Sequence, residues 1–212
     1  LVYTQGFIEQ YWVNQHQLVS DIHLLSNFSN RVSQEIIPLP LPEANKNRIV
    51  CLANLRPQKN QLLLIDVWKE IHESFPDWEV WLVGKGFADH YEGEVKKAIA
   101  GMETSGCIHL LGSRPDVYHV LGKATIGVLP SISEGLPLAL LEYAAAGLPV
   151  VVTDVGACKE VVQDLAMVVP PNAHSEFKNA LIYLIKNPEQ RALLGQNLRE
   201  RVNLQYGEAP FF

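Results

Sequence analysis

Two pairs of charged residues sit at spacings that could do chemistry. In "PSISEGLPLALLEYAAAGLPVVVTD" (130–154), Glu134 and Glu142 lie eight residues apart, one at the mouth of a predicted helix and one inside it. In "ANLRPQKN" (53–60), Arg56 and Lys59 follow an apolar run and open a helical pattern. A helix N-terminus already carries partial positive charge, so cations there are unfavourable by a few tenths to ~1 kcal/mol unless an anion meets them. A phosphate is the common anion at such a place. In the competing reading both cations point to solvent and Asn54 or Asn60 caps the helix. This segment alone does not choose between the two.

The carboxylates raise a matching question. Pro137 suits a first helical turn, and Ser133 or Glu134 can cap it. Leu138, Leu141, Glu142 and Ala145 then share one face by their spacing. A charge on an apolar stripe needs a partner. The hydroxyls of a bound sugar or ribose, a backbone N–H or a Lys would each serve. Helical geometry alone favours a blander reading, with Glu142 at the edge of the stripe reaching water. Glu134, beside Gly135 in a loop, is better placed to touch a ligand.

Other motifs point elsewhere or nowhere. "LVGKGF" (82–87) is a strand ending in Gly84-Lys85-Gly86, and glycines there permit a tight turn or close approach to a ligand. It is no dinucleotide fingerprint, because Asp89 stands where the third Gly belongs, and no GxxxxGK[ST] occurs. The seven His lack HExxH or HxH spacing, so no metal site is expected. Ser131 and Ser133 lack a GxSxG elbow. Asp116 and Asp154 read as cap or loop residues, and Trp68, Trp78 and Trp81 as core or interface.

These residues need elements to position them. Strands are predicted at 48–54, 78–84, 107–112, 124–130, 149–154 and 166–170. Helices are predicted at 60–74, 88–103, 114–122, 136–146, 157–163, 174–186 and 188–204. Strands alternating with helices argue for an α/β, doubly wound parallel sheet, and apolar strands without polar alternation agree, since parallel strands are covered on both faces. Ligands bind such sheets beyond the carboxyl ends of the strands. Loops 54–60, 84–87, 112–115 and 130–136 should gather there.

The composition sets limits. A 212-residue chain that is 48% hydrophobic and 19% charged is an ordinary globular protein. A net charge of −6 offers no general attraction to nucleic acid or anionic lipid. No uncharged apolar stretch reaches the ~18 residues of a membrane span. Cys51, Cys107 and Cys158 form no CxxC, and reduced cytoplasmic thiols are the default reading. The first 47 residues break the strand–helix rhythm. Residues 1–37 read as the tail end of a preceding domain, 38–47 ("PLPLPEANKN") as a linker, 48–206 as the main domain and 207–212 as a truncated tail. Leu1 and "QYGEAPFF" begin and end abruptly, as in a piece of a larger protein.

Taken in order, "VCLANLRPQKNQLLLIDVW", "VWLVGKG" and "IHLLGSRPDVYHVLGKATIGVLPSISEGLPLALLEYAAAGLPVVVTDVGACKEVV" resemble the donor half of retaining GT-B glycosyltransferases, family 4 (group 1). The resemblance runs over roughly 48–185, and "IHLLSNFSN" (22–30) resembles the segment closing that family's first domain. It implies the C-terminal, Rossmann-like half of a GT-B fold. The implied reaction moves a sugar, with retention, from a UDP- or GDP-sugar to a glycan or lipid-linked acceptor, with no cofactor and no bound metal. Arg56 and Lys59 match the basic pair facing the donor diphosphate, and Glu134 the carboxylate facing the transferred sugar. Glu142 matches the residue that holds the ribose. The amides of Gly135, Leu136, Pro137, Leu138 and Ala139 correspond to the stretch at the diphosphate (Pro137 has no N–H). Ser113 and Arg114 would line the nucleobase, and Gly84 and Gly86 the pocket floor. Asn54 departs from the commoner Arg, which leaves Lys59 the firmer match.

The acceptor is expected to bind the missing N-terminal domain, so this piece alone would bind donor weakly and transfer little. A cytoplasmic protein is implied, with room for peripheral association at the inner face of the membrane, and no nucleic-acid partner. Two alternatives stay open: a non-catalytic nucleotide-sugar-binding module, and a GT-B-like UDP-sugar epimerase. A nicotinamide-binding domain is disfavoured by the failed GxGxxG.

Overall fold

The computed structural model describes residues 37–42, 47–102 and 107–206. The expectations for 1–36, for 43–46 of the linker and for the tail after 206 lie outside them.

Six parallel strands form the sheet: β1 (Asn47–Leu52), β2 (Trp78–Val83), β3 (Ile108–Gly112), β4 (Ile126–Leu129), β5 (Val150–Thr153) and β6 (Met167–Val169). Their spatial order is β3-β2-β1-β4-β5-β6. The sheet is the doubly wound, Rossmann-like α/β fold that the sequence predicts. The strands are runs of Val, Ile and Leu, whose branched side chains suit a pleated surface covered on both sides. Because successive strand residues point to opposite faces, Ile49 and Cys51 enter one core and Val50 the other.

Among the described residues seven helices cover the faces: α1 (Gln61–Ile71), α2 (His90–Ala100), α3 (Val117–Leu121), α4 (Leu138–Ala145), α5 (Cys158–Val162), α6 (His174–Lys186) and α7 (Pro188–Tyr206). The core holding Trp68, Trp78 and Phe177 lies on the face covered by α1, α2 and α6. The core holding Trp81, Tyr143 and Leu198 lies under α3, α4, α5 and α7. Trp68, Trp81, Tyr143 and Phe177 are fully buried. Burial of each such side chain contributes about 1.5–3 kcal/mol or more.

The chain winds outward from β1 to β3, then returns to lay β4 on the other side of β1. At that reversal the connections leave in opposite directions and a crevice opens at the carboxyl ends. Here β1 and β4 pair only through Ile49–Ile126 and Val50–Gly127. Tyr143 occupies the divergence beyond. Its hydroxyl accepts the Leu52 N–H at 2.6 Å and lies 3.3 Å and 3.1 Å from the carbonyls of Val50 and Val128. The ring packs where Gly127 has no side chain, since a Cβ there would come within 2.7 Å of it.

Two local expectations are corrected. A 3-10 turn, Pro57–Lys59, precedes α1, so Arg56 and Lys59 stand ahead of the helix rather than in its first turn. Pro57 fixes the turn's entry, and Asn60 closes it in the left-handed region at φ 50°, without a side-chain cap. Helix α4 starts at Leu138, and neither Ser133 nor Glu134 caps it. Its buried face is Leu140, Leu141, Tyr143 and Ala144, while Leu138 is exposed and Glu142 half-buried. Glu142 therefore sits beside the apolar face, because the sheet and α7 take the other side of the helix.

Candidate functional site

A cleft of about 600 Å³ opens at the β1–β4 reversal. One wall is the loop after β1, with Asn54, Arg56 and Lys59. The other is the segment after β4, with Glu134, Gly135, Leu136 and Pro137, and then Leu138, Ala139 and Glu142 of α4. Gly84, at the end of β2, completes the floor. The first turn of α4 borders the space, so the positive end of that helix does too.

The two walls are tied together. Lys59 Nζ donates to both oxygens of Glu134, at 2.6 and 2.7 Å. The Ile132 N–H donates to the Gln58 carbonyl at 2.8 Å. Ser131 Oγ donates to Glu134 Oε1 at 2.6 Å, and the Glu134 side chain is only 5% exposed. The Glu134 segment rests in turn on the loop after β5. Gly156 has φ 54°, and a Cβ on it would collide with the Glu134 carbonyl. The neighbouring Ala157 N–H donates to the Gly135 carbonyl at 3.1 Å.

Arg56 lies flat on Phe87, 3.4 Å from the ring centroid, and reaches Asp89 Oδ2 at 3.5 Å. With side chains 42% and 36% exposed, that ion pair is weak. Asn54 Oδ1 accepts the Lys85 N–H at 2.8 Å, which fastens the first wall to the loop after β2. Gly84 allows that approach, since a Cβ there would meet the Ala53 carbonyl. Beneath, the wholly buried Gln61 donates to the carbonyls of Ala53 and Asn54 and accepts from the Tyr91 hydroxyl.

Three expected residues are not brought to the cleft. Gly86 packs against the Glu92 carboxylate and shapes the turn into α2. Ser113 and Arg114 lie outside the lining. Arg114 grips Asp116 through two hydrogen bonds of 2.8 and 2.7 Å, and also donates to the carbonyls of Leu39 and Pro40. Asp116 accepts the Leu39 N–H at 3.0 Å. Burial works against the Asp116 charge, but the Arg114 and Leu39 hydrogen bonds outweigh it and hold its pKa below the ordinary value. Asp116 is thus no simple helix cap. It and Arg114 clamp the incoming chain.

Sequence reasoning missed Gln58, Phe87, Ser131 and Gln61. Ser131 drew notice only as a failed nucleophile. Cys51 lies under the site as a neutral thiol, since burial pushes its pKa up to about 12, against the pull of Lys59. Among the described residues no cluster of three or more His, Cys, Asp or Glu is placed to hold a metal. Among them, too, no helix is long and apolar enough to cross a membrane.

Basic groups on one wall, carboxylates and a helix N-terminus on the other, at the reversal of a parallel sheet, suit a ligand carrying both phosphate and hydroxyls. The fold is the Rossmann-like α/β half of a GT-B fold. The family model for glycosyl transferases group 1 matches residues 33–201, and the chain belongs to that family. An Escherichia coli UDP-Gal:alpha-D-GlcNAc-diphosphoundecaprenol alpha-1,3-galactosyltransferase is 30% identical over 166 residues, 72% of this chain and 42% of that protein. The chain spans less than half the length of such curated relatives. Anabaena HepE in complex with UDP superposes with a TM-score of 0.73 at 20% identity, over 78% of this chain and 46% of that one. The C-terminal domain of a group 1 glycosyl transferase from Francisella tularensis gives 0.64 at 22% identity, over 76% and 86%. At those identities the two structures speak to the fold.

Proposed function

We propose that residues 48–206 are the donor-binding domain of a retaining, metal-independent glycosyltransferase of family 4. It would move a sugar from a nucleoside-diphosphate sugar to a glycan or lipid-linked acceptor. The observation that carries this reading is the facing of Lys59 and Glu134 across the cleft at the β1–β4 reversal. In this reading Lys59, with Arg56 swung from Phe87, neutralises the diphosphate as the leaving group departs. The first turn of α4 contributes its positive end. Glu134 accepts hydrogen bonds from hydroxyls of the transferred sugar, and Glu142 from those of the ribose.

A UDP donor is supported by the UDP bound to Anabaena HepE and by the UDP-Gal in the name of the Escherichia coli relative. A polyprenyl-linked acceptor finds support in that same name. The matched relatives bear transferase names, which favours transfer over an epimerase or a non-catalytic module. The acceptor would be held by a domain preceding residue 38, with the linker between. Such a protein would work in the cytoplasm, at or near the inner membrane face.

Isothermal titration of the 212-residue chain with UDP, GDP and ADP, each beside its nucleoside, with and without magnesium, tests the reading. Saturable, magnesium-independent binding that needs the diphosphate is expected. Equal affinity for nucleoside and nucleoside diphosphate, or no binding at millimolar ligand, would overturn it.

A further inference from the structure

Ser131 stands outside the cleft lining, yet it is one of only two described side chains that donate to Glu134. It is wholly buried in the turn that leaves β4. A hydroxyl has one proton to give, and Ser131 gives it to Glu134 Oε1 at 2.6 Å. Hydrogen bonds of that length to an ionised acceptor are among the strong ones. Thr153, wholly buried at the end of β5, anchors Ser131 in turn. Its Oγ1 lies 2.5 Å from the Ser131 carbonyl and 3.2 Å from that of Leu129. Thr153 thus fixes the Ser131 backbone to the sheet, and the Ser131 hydroxyl holds the carboxylate.

The donor-binding reading, on which this inference rests, gives Lys59 a second anion to serve. Its ammonium points toward both Glu134 oxygens here, at 2.6 and 2.7 Å. A diphosphate in the cleft competes for the same protons. A carboxylate 5% exposed that loses its donors is pushed out of place, because an unpaired buried charge is costly. We infer that Ser131 is the positioning residue for Glu134. It keeps the carboxylate hydrogen-bonded and aimed at the donor sugar while Lys59 turns to the diphosphate, and Thr153 holds the Ser131 backbone. Ser131 touches no part of the donor. It acts through Glu134.

The test uses saturation-transfer NMR and titration on the wild-type chain and three variants, Ser131→Ala, Ser131→Cys and Ser131→Thr, each checked for folding by circular dichroism. The probes are UDP, GDP and ADP beside UDP-glucose, GDP-mannose and ADP-glucose. Ser131→Ala and Ser131→Cys, the latter close in volume but a weak donor, are expected to keep nucleoside-diphosphate affinity within about twofold. They should lose about tenfold for the matching nucleotide sugar, the size of one hydrogen bond to a charged group. Saturation of the sugar protons should fade while that of the ribose protons persists, and Ser131→Thr should restore both. A folded Ser131→Ala or Ser131→Cys chain that keeps wild-type sugar saturation overturns the inference. So does equal weakening of both ligand types, which marks a purely structural role. Failure of the wild-type chain to bind any of the six probes overturns the donor reading itself, and this inference falls with it.

Discussion

Lys59 and Glu134, 75 residues apart in sequence, meet as a two-pronged ion pair at 2.6 and 2.7 Å. Each stands on a loop leaving one of the two strands at the sheet's reversal, so the pair closes the crevice that the fold opens. The two groups neutralise each other. A ligand that carries an anion to Lys59 and hydroxyls to Glu134 replaces that pair with two sets of hydrogen bonds.

Lys59→Ala follows from this directly. Loss of a hydrogen bond to a charged group costs about 1.5–3 kcal/mol, so nucleoside-diphosphate affinity should fall about ten- to a hundredfold. Nucleoside affinity should change by less than about twofold. Calorimetric titration of both ligands measures it, and equal losses would remove Lys59 from the diphosphate role.

Glu142 lines the cleft from the half-buried side of α4. If it holds ribose hydroxyls, Glu142→Gln should weaken a ribonucleotide about tenfold while barely altering its 2′,3′-dideoxy analogue. Competition binding with the two ligands reads the difference. Parallel losses would make Glu142 a structural residue.

How much of this was legible follows a physical line. The strands announce themselves because a strand covered on both faces has no polar alternation to hide it, as in Val150–Val152. The convergence of loops 54–60 and 130–136 follows from parallel topology alone. What periodicity cannot show is where a long side chain turns once the fold is made. Arg114 sits in a loop at the ligand edge, yet it folds back on Asp116 and the linker. Arg56 lies on Phe87, and Gln61 reaches under the loop that precedes it. One signal was readable: a Gly inside a buried strand marks close approach of a neighbour, and Gly127 marks the Tyr143 ring.

The Arg114–Asp116 clamp should hold the linker end of the domain. Both side chains are almost wholly buried, and breaking such a pair costs about 3 kcal/mol or more. Arg114→Ala should therefore lower the denaturation midpoint and speed hydrogen exchange at the Leu39 amide, which Asp116 accepts. Because the Asp116 pKa is lowered on folding, its contribution is present above the ordinary value of 3.8 and lost as pH falls through the folded value. Only acid below about pH 3.8 should free Leu39 in the wild-type chain. An exchange rate at Leu39 unmoved by the substitution would refute the clamp.

Alkaline pH acts on the other buried groups with the opposite sign. Burial raises the thiols of Cys51 and Cys158 from 9.0 to about 12. The unfolded chain thus releases those protons first. Their contribution is fully present below about pH 9 and is lost as pH rises toward about 12, at up to about 1.4 kcal/mol per pH unit for each thiol. Urea midpoints measured under reducing conditions should fall across that window. Neither thiol should react with iodoacetamide at pH 8 until the chain is unfolded, and rapid alkylation of the folded chain would contradict their burial.

Tyr143 ties the architecture to the site. Where β1 and β4 part, the Leu52 N–H would have no strand partner, and the Tyr143 hydroxyl supplies one at 2.6 Å. Burial, the largest influence, pushes the phenol pKa well above its ordinary value, so the hydroxyl stays protonated and can also donate to Val50 or Val128. Tyr143→Phe keeps the ring over Gly127 and removes only the oxygen. The half-buried Leu52 N–H is then left without its protein partner, at a cost of up to about 1–3 kcal/mol. Leu52 is the last residue of β1, immediately before the loop that carries Asn54, Arg56 and Lys59, so the loss should not be confined to stability. Denaturant titration should show the expected drop, hydrogen exchange should quicken at the Leu52 amide, and nucleoside-diphosphate affinity should weaken with it. If stability falls and the Leu52 amide exchanges as before, the hydroxyl's role lies with the Val50 and Val128 carbonyls, and the link from the sheet's divergence to the Lys59 loop is broken.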